Sequence, residues 1–184
     1  FCPGGQYEAL RPKEPVILAA GRLDVRKGLE DLIESMRLVA KSFPRARLLI
    51  AGTGPLRGRL VQKAERMGIG NTTDFLGHVV QAELIELYRA AAVFVHAAHY
   101  EGLPTVLLEA MACGRAVVST AVSGALDVVK DGGNGLLVPP RDAVAPRRPH
   151  AAAGSPDPSG EAEGPGGWEA PAAEAISFWS RINR

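Results

Sequence analysis

The 184-residue sequence predicts an α/β fold built on a doubly wound parallel sheet. Three observations predict it: short apolar runs recur along the chain, amphipathic helical patterns separate them, and turns rich in glycine or charge follow them. Apolar runs bounded by turn residues are typical of buried parallel strands. Because strand and helix alternate throughout, we expect right-handed crossovers within one sheet.

The spacing of apolar side chains predicts each element. After the first strand, for example, apolar residues recur at three- and four-residue steps from Leu29 to Phe43, which indicates a helix. The predicted elements are a strand at 15–20, a helix at 29–43, a strand at 47–51, a helix ending near 67–68, a strand with its exit loop at 73–79, a helix at 81–90, a strand at 92–96, a helix after the turn at 101–104, a strand at 116–120, a short helix at 124–130 and a strand at 135–140.

The predicted sheet occupies residues 15–142, and the two ends of the chain differ from it. Residues 1–14 contain prolines and glycines without periodicity and lack an initiator Met, so we expect a linker or the severed end of a longer protein. Residues 143–184 are rich in Ala, Pro, Gly and Ser, which predicts a low-complexity, mostly disordered tail. Residues 172–182 are a candidate short helix, with an unstructured terminus as the alternative.

Composition narrows the class of function. The net charge of +1 gives no electrostatic case for binding nucleic acid. Two cysteines are too few for a disulfide framework, and no apolar run approaches the roughly 20 residues of a membrane span. We therefore expect a cytoplasmic protein, either free or peripheral at a membrane in its full-length form.

The stretch from His99 to Gly114 carries the clearest functional pattern. It follows a predicted buried strand and passes through the turn Glu101-Gly102-Leu103-Pro104 into a helix. Pro104 suits a first helical turn, and Gly102 allows close approach of the backbone. The start of a helix binds anions through its unpaired N–H groups, here expected to be those of Leu103, Thr105 and Val106.

Two carboxylates frame this turn, Glu101 before the helix and Glu109 within it. Glu109 is surrounded by apolar residues, so we expect a buried helix in which this carboxylate is hydrogen-bonded. The alternative is a helical glutamate that faces water.

The segment Glu101-Gly102-Leu103-Pro104-Thr105-Val106-Leu107-Leu108-Glu109-Ala110-Met111-Ala112-Cys113-Gly114 resembles the Glu-x7-Glu signature of retaining glycosyltransferases of family four. The similarity covers about residues 15–142, whereas the tail does not match. It implies the Rossmann-like C-terminal half of a GT-B architecture, which binds the nucleotide sugar. The acceptor would then bind to an N-terminal domain absent from this chain.

A basic loop follows the first strand and contains Gly21-Arg22-Leu23 and, five residues after Arg22, Lys27. Open parallel sheets bind ligands at this end, where Arg22 and Lys27 could meet a diphosphate. The alternative is an ordinary solvated loop. The resemblance favours a pyrophosphate-binding loop, and Arg26 is expected to face water.

Two further turns carry candidate ligand contacts. Gly52 and Gly54 follow the second strand and could open a dinucleotide fingerprint, but Pro55 and Arg57 interrupt that pattern, which argues against an oxidoreductase. The resemblance implies that these glycines give backbone room near the nucleotide. It also implies that backbone groups near His78 and Val79 meet the base, although His78 is equally well an ordinary loop residue. Residues 123–127 depart from the family's usual Gly-Gly-x-Pro-Glu.

The resemblance implies transfer of a hexose from a nucleotide-diphosphate sugar to an acceptor hydroxyl, with retention of configuration and no cofactor besides this donor. The sequence contains no Asp-x-Asp, so the cations Arg22 and Lys27 are expected to act without a metal. The resemblance assigns sugar hydroxyls to Glu101 and ribose hydroxyls to Glu109. The expected site residues are Glu101, Arg22 and Lys27 as catalytic groups, and Gly21, Gly52, Gly54, His78, Val79, Gly102, Leu103, Pro104, Thr105 and Glu109 as donor-binding groups.

Three other readings remain open at this point. A glycoside hydrolase would use two carboxylates but leaves the basic loop unexplained. A sugar-nucleotide epimerase of the same two-domain architecture is a stronger alternative than the hydrolase. A third reading is a non-catalytic fragment that binds a sugar nucleotide and does nothing alone. The partners that the glycosyltransferase resemblance implies are a nucleotide sugar, the missing N-terminal domain and an acceptor sugar or lipid-linked glycan.

Overall fold

A computed structural model describes residues 15–140 of the chain. These residues form a six-stranded sheet in the order β3-β2-β1-β4-β5-β6, and every pair of neighbouring strands is parallel. The predicted doubly wound parallel sheet is confirmed. The linker, the tail and the candidate helix at 172–182 lie outside the described residues, as do residues 141–142 of the predicted domain.

The order of strands and helices along the chain matches the predicted order. The strands are β1 (Val16–Ala20), β2 (Arg47–Ala51), β3 (Thr73–Gly77), β4 (Val93–His96), β5 (Ala116–Thr120) and β6 (Leu136–Val138). The helices are α1 (Leu29–Ser42), α2 (Arg57–Arg66), α3 (Gln81–Ala90), α4 (Thr105–Ala112) and α5 (Ser123–Leu126). In the described part of the chain, no helix is both long enough and apolar enough to cross a lipid bilayer.

The hydrophobic core lies on both faces of the sheet. On one face, α1 and α2 pack their buried side chains, such as Ile33 and Leu60, against the strands. On the other face, α3, α4 and α5 contribute residues such as Leu87, Leu107 and Ala125. With both faces covered, the strands between the edges are mostly apolar and buried, which explains why they read as nearly continuous apolar runs. The edge strand β3 differs, since it contains Asp74 and is largely half-buried.

Three local differences from the sequence-based expectation concern short segments. A 3-10 turn forms at Val25–Lys27 in the predicted loop after β1. Helix α5 ends at Leu126 rather than near 130, and a turn follows in which the amides of Val128 and Val129 both donate to the carbonyl of Ala125. The last strand is confined to Leu136–Val138, the only residues beyond β5 that pair with it in register over the described range.

Candidate functional site

The loop after β1 is held by its own side chains. Asp24 caps the 3-10 turn by accepting a hydrogen bond from the amide of Arg26, and it also pairs with the Arg26 guanidinium at 2.9 Å. The hydrogen bond from the Arg26 side chain holds the pKa of Asp24 below its ordinary value despite some desolvation. Arg22 lies 3.8 Å from the same carboxylate, and its side chain is 68% exposed. Arg22 therefore points into solvent from a fixed loop. Arg26 is exposed, as expected, and it is also paired with Asp24.

Glycines allow the loops after β1 and β2 to touch. A side chain on Gly52 would overlap the carbonyl oxygen of Gly21, and one on Gly54 would overlap the backbone of Leu23. Backbone hydrogen bonds close this contact, among them Leu23 N–H to the Thr53 carbonyl at 2.9 Å. The structure thus places Gly52 and Gly54 against the basic loop, and their small size serves this packing.

The loops after β1 and β4 are joined in the same way. A Cβ on Gly28, which has a φ of 58°, would overlap the carbonyl oxygen of Ala97. The His99 amide donates to the Arg26 carbonyl at 2.8 Å, and the His99 ring lies 2.7 Å from a carboxylate oxygen of Asp31. These contacts bring the basic loop and the Glu101 turn to the same edge of the sheet.

An ion pair between Lys27 Nζ and Glu101 Oε2 connects the two loops. Both side chains are mostly buried, at 22% and 19% exposure. The structure therefore brings together the two groups that the resemblance assigns to the diphosphate and to the sugar. In the described residues, Glu101 Oε1 receives no hydrogen bond, so one oxygen of the carboxylate stays available.

His96, the last residue of β4, lies beneath Glu101. Its Nε2 is 3.5 Å from Glu101 Oε2, and its Nδ1 is 2.9 Å from the hydroxyl of Ser119. Burial lowers the pKa of His96, and together with the Lys27 charge it outweighs the opposing hydrogen bond and charge of Glu101. Burial raises the pKa of Glu101, but the hydrogen bond and charge of Lys27, assisted by His96, outweigh it, and the net pKa lies below its ordinary value. At neutral pH the site therefore holds an ionised Glu101 above a neutral histidine.

The Glu101 turn is seated on the start of α5. The Gly124 amide donates to the Glu101 carbonyl at 3.1 Å, and a side chain on Gly124 would overlap the carbonyl oxygen of Gly102. Although residues 123–127 depart from the family pattern, the glycine at 124 supports the turn directly.

The start of α4 differs in one respect from the expectation of three free amides. The Thr105 amide donates to the Leu103 carbonyl at 3.0 Å, so its N–H is not free, because the chain makes a tight turn at Pro104 before entering the helix. Within residues 15–140, the amides of Leu103 and Val106 have no hydrogen-bond acceptor. These two amides are the ones that an anion at this helix start could use.

Glu109 is half-buried and accepts a hydrogen bond from the Tyr88 hydroxyl at 3.0 Å. The expected hydrogen bond is therefore present, and its donor comes from α3. Burial and the neighbouring carboxylate raise the pKa of Tyr88 well above its ordinary value, so Tyr88 is always a donor. The expectation that α4 is buried all round is wrong: Leu108 is 44% exposed, because a helix that flanks a sheet buries only the side facing it.

The remaining candidates lie on the loop after β3. The carbonyl of Gly77 accepts a hydrogen bond from the Gly52 amide at 2.7 Å, which attaches this loop to the β2 loop. His78 is exposed, and Val79 packs partly against the core. Within residues 15–140, no hydrogen bond or ion pair joins either side chain to the Lys27–Glu101 pair.

A cleft of about 270 Å³ opens beside the ion pair. Its polar lining comes from Arg22, Lys27 and His96, and Gly21 contributes backbone. Across the range 15–140, no three His, Cys, Asp or Glu side chains cluster in a way that could hold a metal ion.

Sequence reasoning missed three residues of this arrangement: His96, Ser119 and Tyr88. The first two were assigned only to buried strands, and Tyr88 only to the apolar side of a helix. Polar residues at the carboxyl ends of two adjacent strands were the available signal, since ligands bind at this edge of parallel sheets. No sequence pattern pointed to the contact between Tyr88 and Glu109.

The geometry places a basic loop, a carboxylate turn and a helix start at one edge of a Rossmann-like sheet. Residues 6–146 match the family described as glycosyl transferases group 1. The chain belongs to this family. Its sheet is that of GT-B proteins, as the structural relatives below indicate.

Three relatives show the extent of this glycosyltransferase similarity. The uncharacterized glycosyltransferase MJ1607 of Methanocaldococcus jannaschii is 38% identical over 129 residues, which are 70% of this chain and 33% of that protein. Sucrose-phosphate synthase from Thermosynechococcus elongatus has a TM-score of 0.67 at 35% identity, over 73% of this chain and 35% of the synthase. HepE of Anabaena, solved in complex with UDP-glucose, has a TM-score of 0.66 at 26% identity, over 74% of this chain and 38% of HepE. The chain thus spans about a third of the length of these proteins.

Proposed function

We propose that this chain is the donor-binding domain of a retaining glycosyltransferase of family four. It binds a nucleotide-diphosphate sugar, and the complete enzyme transfers the hexose to an acceptor hydroxyl of a growing polysaccharide or glycolipid in the cytoplasm. The observation that carries the proposal is the Lys27–Glu101 ion pair, which joins the two predicted ligand loops at the ligand-binding edge of the sheet. The UDP-glucose complex of the related HepE supports a nucleotide sugar as the ligand.

In this proposal Arg22 and Lys27 bind the diphosphate. Arg22 is exposed beside the cleft and offers a planar guanidinium, and Lys27 offers a point charge. Both stabilise the negative charge that develops on the leaving diphosphate as the glycosidic bond breaks. The amides of Leu103 and Val106 add donors at the start of α4.

The two carboxylates hold the remainder of the donor. Glu101 Oε1 accepts hydrogen bonds from the sugar hydroxyls, while Oε2 stays with protein groups. Glu109, held by Tyr88, accepts hydrogen bonds from the ribose. Gly21, Gly52, Gly54, Gly102 and Pro104 shape the backbone around the donor, and the β3 loop with His78 and Val79 lies towards the base.

The acceptor is bound by a second domain, because this chain accounts for about a third of the length of its relatives. The isolated chain accordingly binds the donor without turnover. If the isolated chain transferred sugar, the requirement for the second domain would be wrong. A non-catalytic sugar-nucleotide-binding protein remains the competing proposal, and transfer by the full-length protein would exclude it.

The test is the affinity of the 184-residue chain for UDP-glucose, measured by calorimetry after a screen of nucleotide sugars for thermal stabilisation. A charge-assisted hydrogen bond contributes about 1.5–3 kcal/mol, so Lys27→Ala and Arg22→Ala should each lower the affinity roughly ten- to hundredfold. Arg26→Ala is the matched control, since Arg26 lies on the same loop, is exposed and is paired with Asp24. Equal effects of all three substitutions would contradict the assignment of the diphosphate to Arg22 and Lys27.

A further inference from the structure

His96 is a buried titratable group to which the proposed mechanism gives no role. Its side chain is 3% exposed, and each ring nitrogen faces one polar neighbour, the Ser119 hydroxyl at Nδ1 and Glu101 Oε2 at Nε2. Other charged groups near the ring are Lys27 and Arg22 in the cleft on one side and Asp31 in a cavity of about 420 Å³ on the other. A buried imidazole is expected to satisfy both nitrogens, so the position of its proton has consequences for Glu101.

The neighbours of the ring favour one tautomer. A neutral imidazole with its proton on Nδ1 would direct the lone pair of Nε2 at the ionised carboxylate of Glu101, which places two acceptors together. With the proton on Nε2, the ring donates to Glu101, and Ser119 must donate its hydroxyl proton to Nδ1.

Ser119 has a second acceptor in reach, the carbonyl oxygen of Thr120 at 3.1 Å. That carbonyl already accepts a hydrogen bond from the amide of Val122 at 2.8 Å. The Thr120 carbonyl is therefore satisfied without the hydroxyl. Nδ1 of the Nε2-protonated ring, in contrast, has no other donor in the described residues. We therefore expect the Ser119 hydroxyl to donate its hydrogen bond to His96 Nδ1.

We propose that Ser119 and His96 are positioning residues for Glu101: the serine hydroxyl donates to Nδ1 of the Nε2–H tautomer that the carboxylate favours, and this N–H holds Glu101 Oε2 so that Oε1 stays free for the donor sugar. The inference rests on the proposed function, in which Glu101 binds the sugar. When a diphosphate draws Lys27 away, His96 is the protein group that keeps hold of the carboxylate. His96 can do so because it contacts Glu101 from the buried end of β4, on the side of the carboxylate that is shielded from solvent.

The proton can be located directly by two-bond ¹H–¹⁵N spectra of the chain labelled at histidine, recorded at about pH 7.5, where an ordinary histidine is neutral. Comparison with His96→Gln assigns the signal. The proposal expects Nε2 protonated and Nδ1 acting as acceptor. Ser119→Ala removes the donor to Nδ1 and should shift the Nδ1 resonance, while Nε2 stays protonated. Ser42→Ala, at an exposed serine, is the control that leaves the spectrum unchanged. An Nδ1–H tautomer in the unaltered chain would overturn the proposal.

Comparing the affinities for UDP and for UDP-glucose shows whether His96 positions Glu101 or only stabilises the fold. His96→Leu removes the donor to Glu101 and should lower UDP-glucose affinity about tenfold while UDP affinity stays unchanged, and His96→Gln should restore most of the loss because its amide N–H lies where Nε2 lay. Equal losses for both ligands, or no loss for either, would overturn the proposal. If His96→Leu does not fold, His96→Asn replaces it in the comparison with His96→Gln, because the shorter amide lies at the Nδ1 position and does not reach Glu101. If the unaltered chain binds neither ligand, the proposed function fails, and the spectrum alone then decides the role of His96.

Discussion

Lys27 and Glu101 form an ion pair although 74 residues separate them in the chain. They meet because β1 and β4 are adjacent and parallel, so that the loops leaving both strands emerge at the same edge of the sheet. In this structure the two charges compensate each other. A bound diphosphate would compete for Lys27, which couples donor binding to the environment of Glu101.

The first prediction concerns the pH dependence of stability. The pKa of Glu101 is lowered, chiefly by Lys27 against the opposing effect of burial, so its stabilisation is present above its ordinary value of 4.5 and is lost as pH falls through the native value. The pKa of His96 is lowered from 6.5 by burial, so the unfolded chain takes up a proton first and stability also falls below pH 6.5. Thermal melting points should therefore decrease steadily from neutral pH to about pH 4.

His96→Gln isolates one part of this curve. The variant should lose the fall in melting temperature that begins near pH 6.5 and keep the fall at lower pH that is due to Glu101. His78→Gln changes an exposed histidine and should leave the whole curve in place. A curve identical for the unaltered chain and His96→Gln would show that His96 is not held neutral by the fold.

The second prediction concerns Gly124. Gly124→Ala forces a methyl group onto the carbonyl of Gly102, so the Glu101 turn must shift and the chain should lose about 1–3 kcal/mol of unfolding free energy. UDP-glucose affinity should fall as well. Gly58→Ala is the matched control, since Gly58 lies in α2 with open space around its Cα, and it should stabilise the chain by up to about 1 kcal/mol. Urea denaturation measures both, and equal destabilisation would contradict the packing described here.

The third prediction concerns Tyr88. Tyr88→Phe removes the donor to the half-buried Glu109 and should lower the unfolding free energy by about 1–3 kcal/mol. Tyr100→Phe changes a tyrosine that is 68% exposed and should have no measurable effect. The comparison uses the same chemical change at two positions, so similar denaturation midpoints for both variants would show that the Tyr88–Glu109 hydrogen bond contributes nothing.

The fourth prediction concerns metal ions. Because Arg22 and Lys27 are proposed to neutralise the diphosphate, UDP-glucose binding should be unchanged by EDTA or by added magnesium. Calorimetric titrations with and without EDTA measure this. A marked loss of affinity on chelation would mean that a cation takes part in binding the diphosphate.

The sequence predicted the sheet well because most strands are largely apolar on both faces and the apolar residues of the helices recur at regular spacing. The sequence also predicted that the loops with Lys27 and Glu101 lie at the same edge of the sheet, because parallel strands all end at that edge. It could not predict that Gly124 supports Glu101 or that Tyr88 reaches Glu109, because these contacts depend on how distant segments approach. The prediction of a free amide at Thr105 is wrong for a local reason, since the tight turn at Pro104 pairs this amide with the Leu103 carbonyl.

The most direct measurement is a crystal structure of the chain with UDP-glucose. The account predicts Lys27 Nζ within about 3.2 Å of a diphosphate oxygen, with the glucose beside Glu101 and the ribose beside Glu109. A nucleotide bound away from the loops after β1 and β4, or one that leaves the Lys27–Glu101 pair untouched, would contradict it.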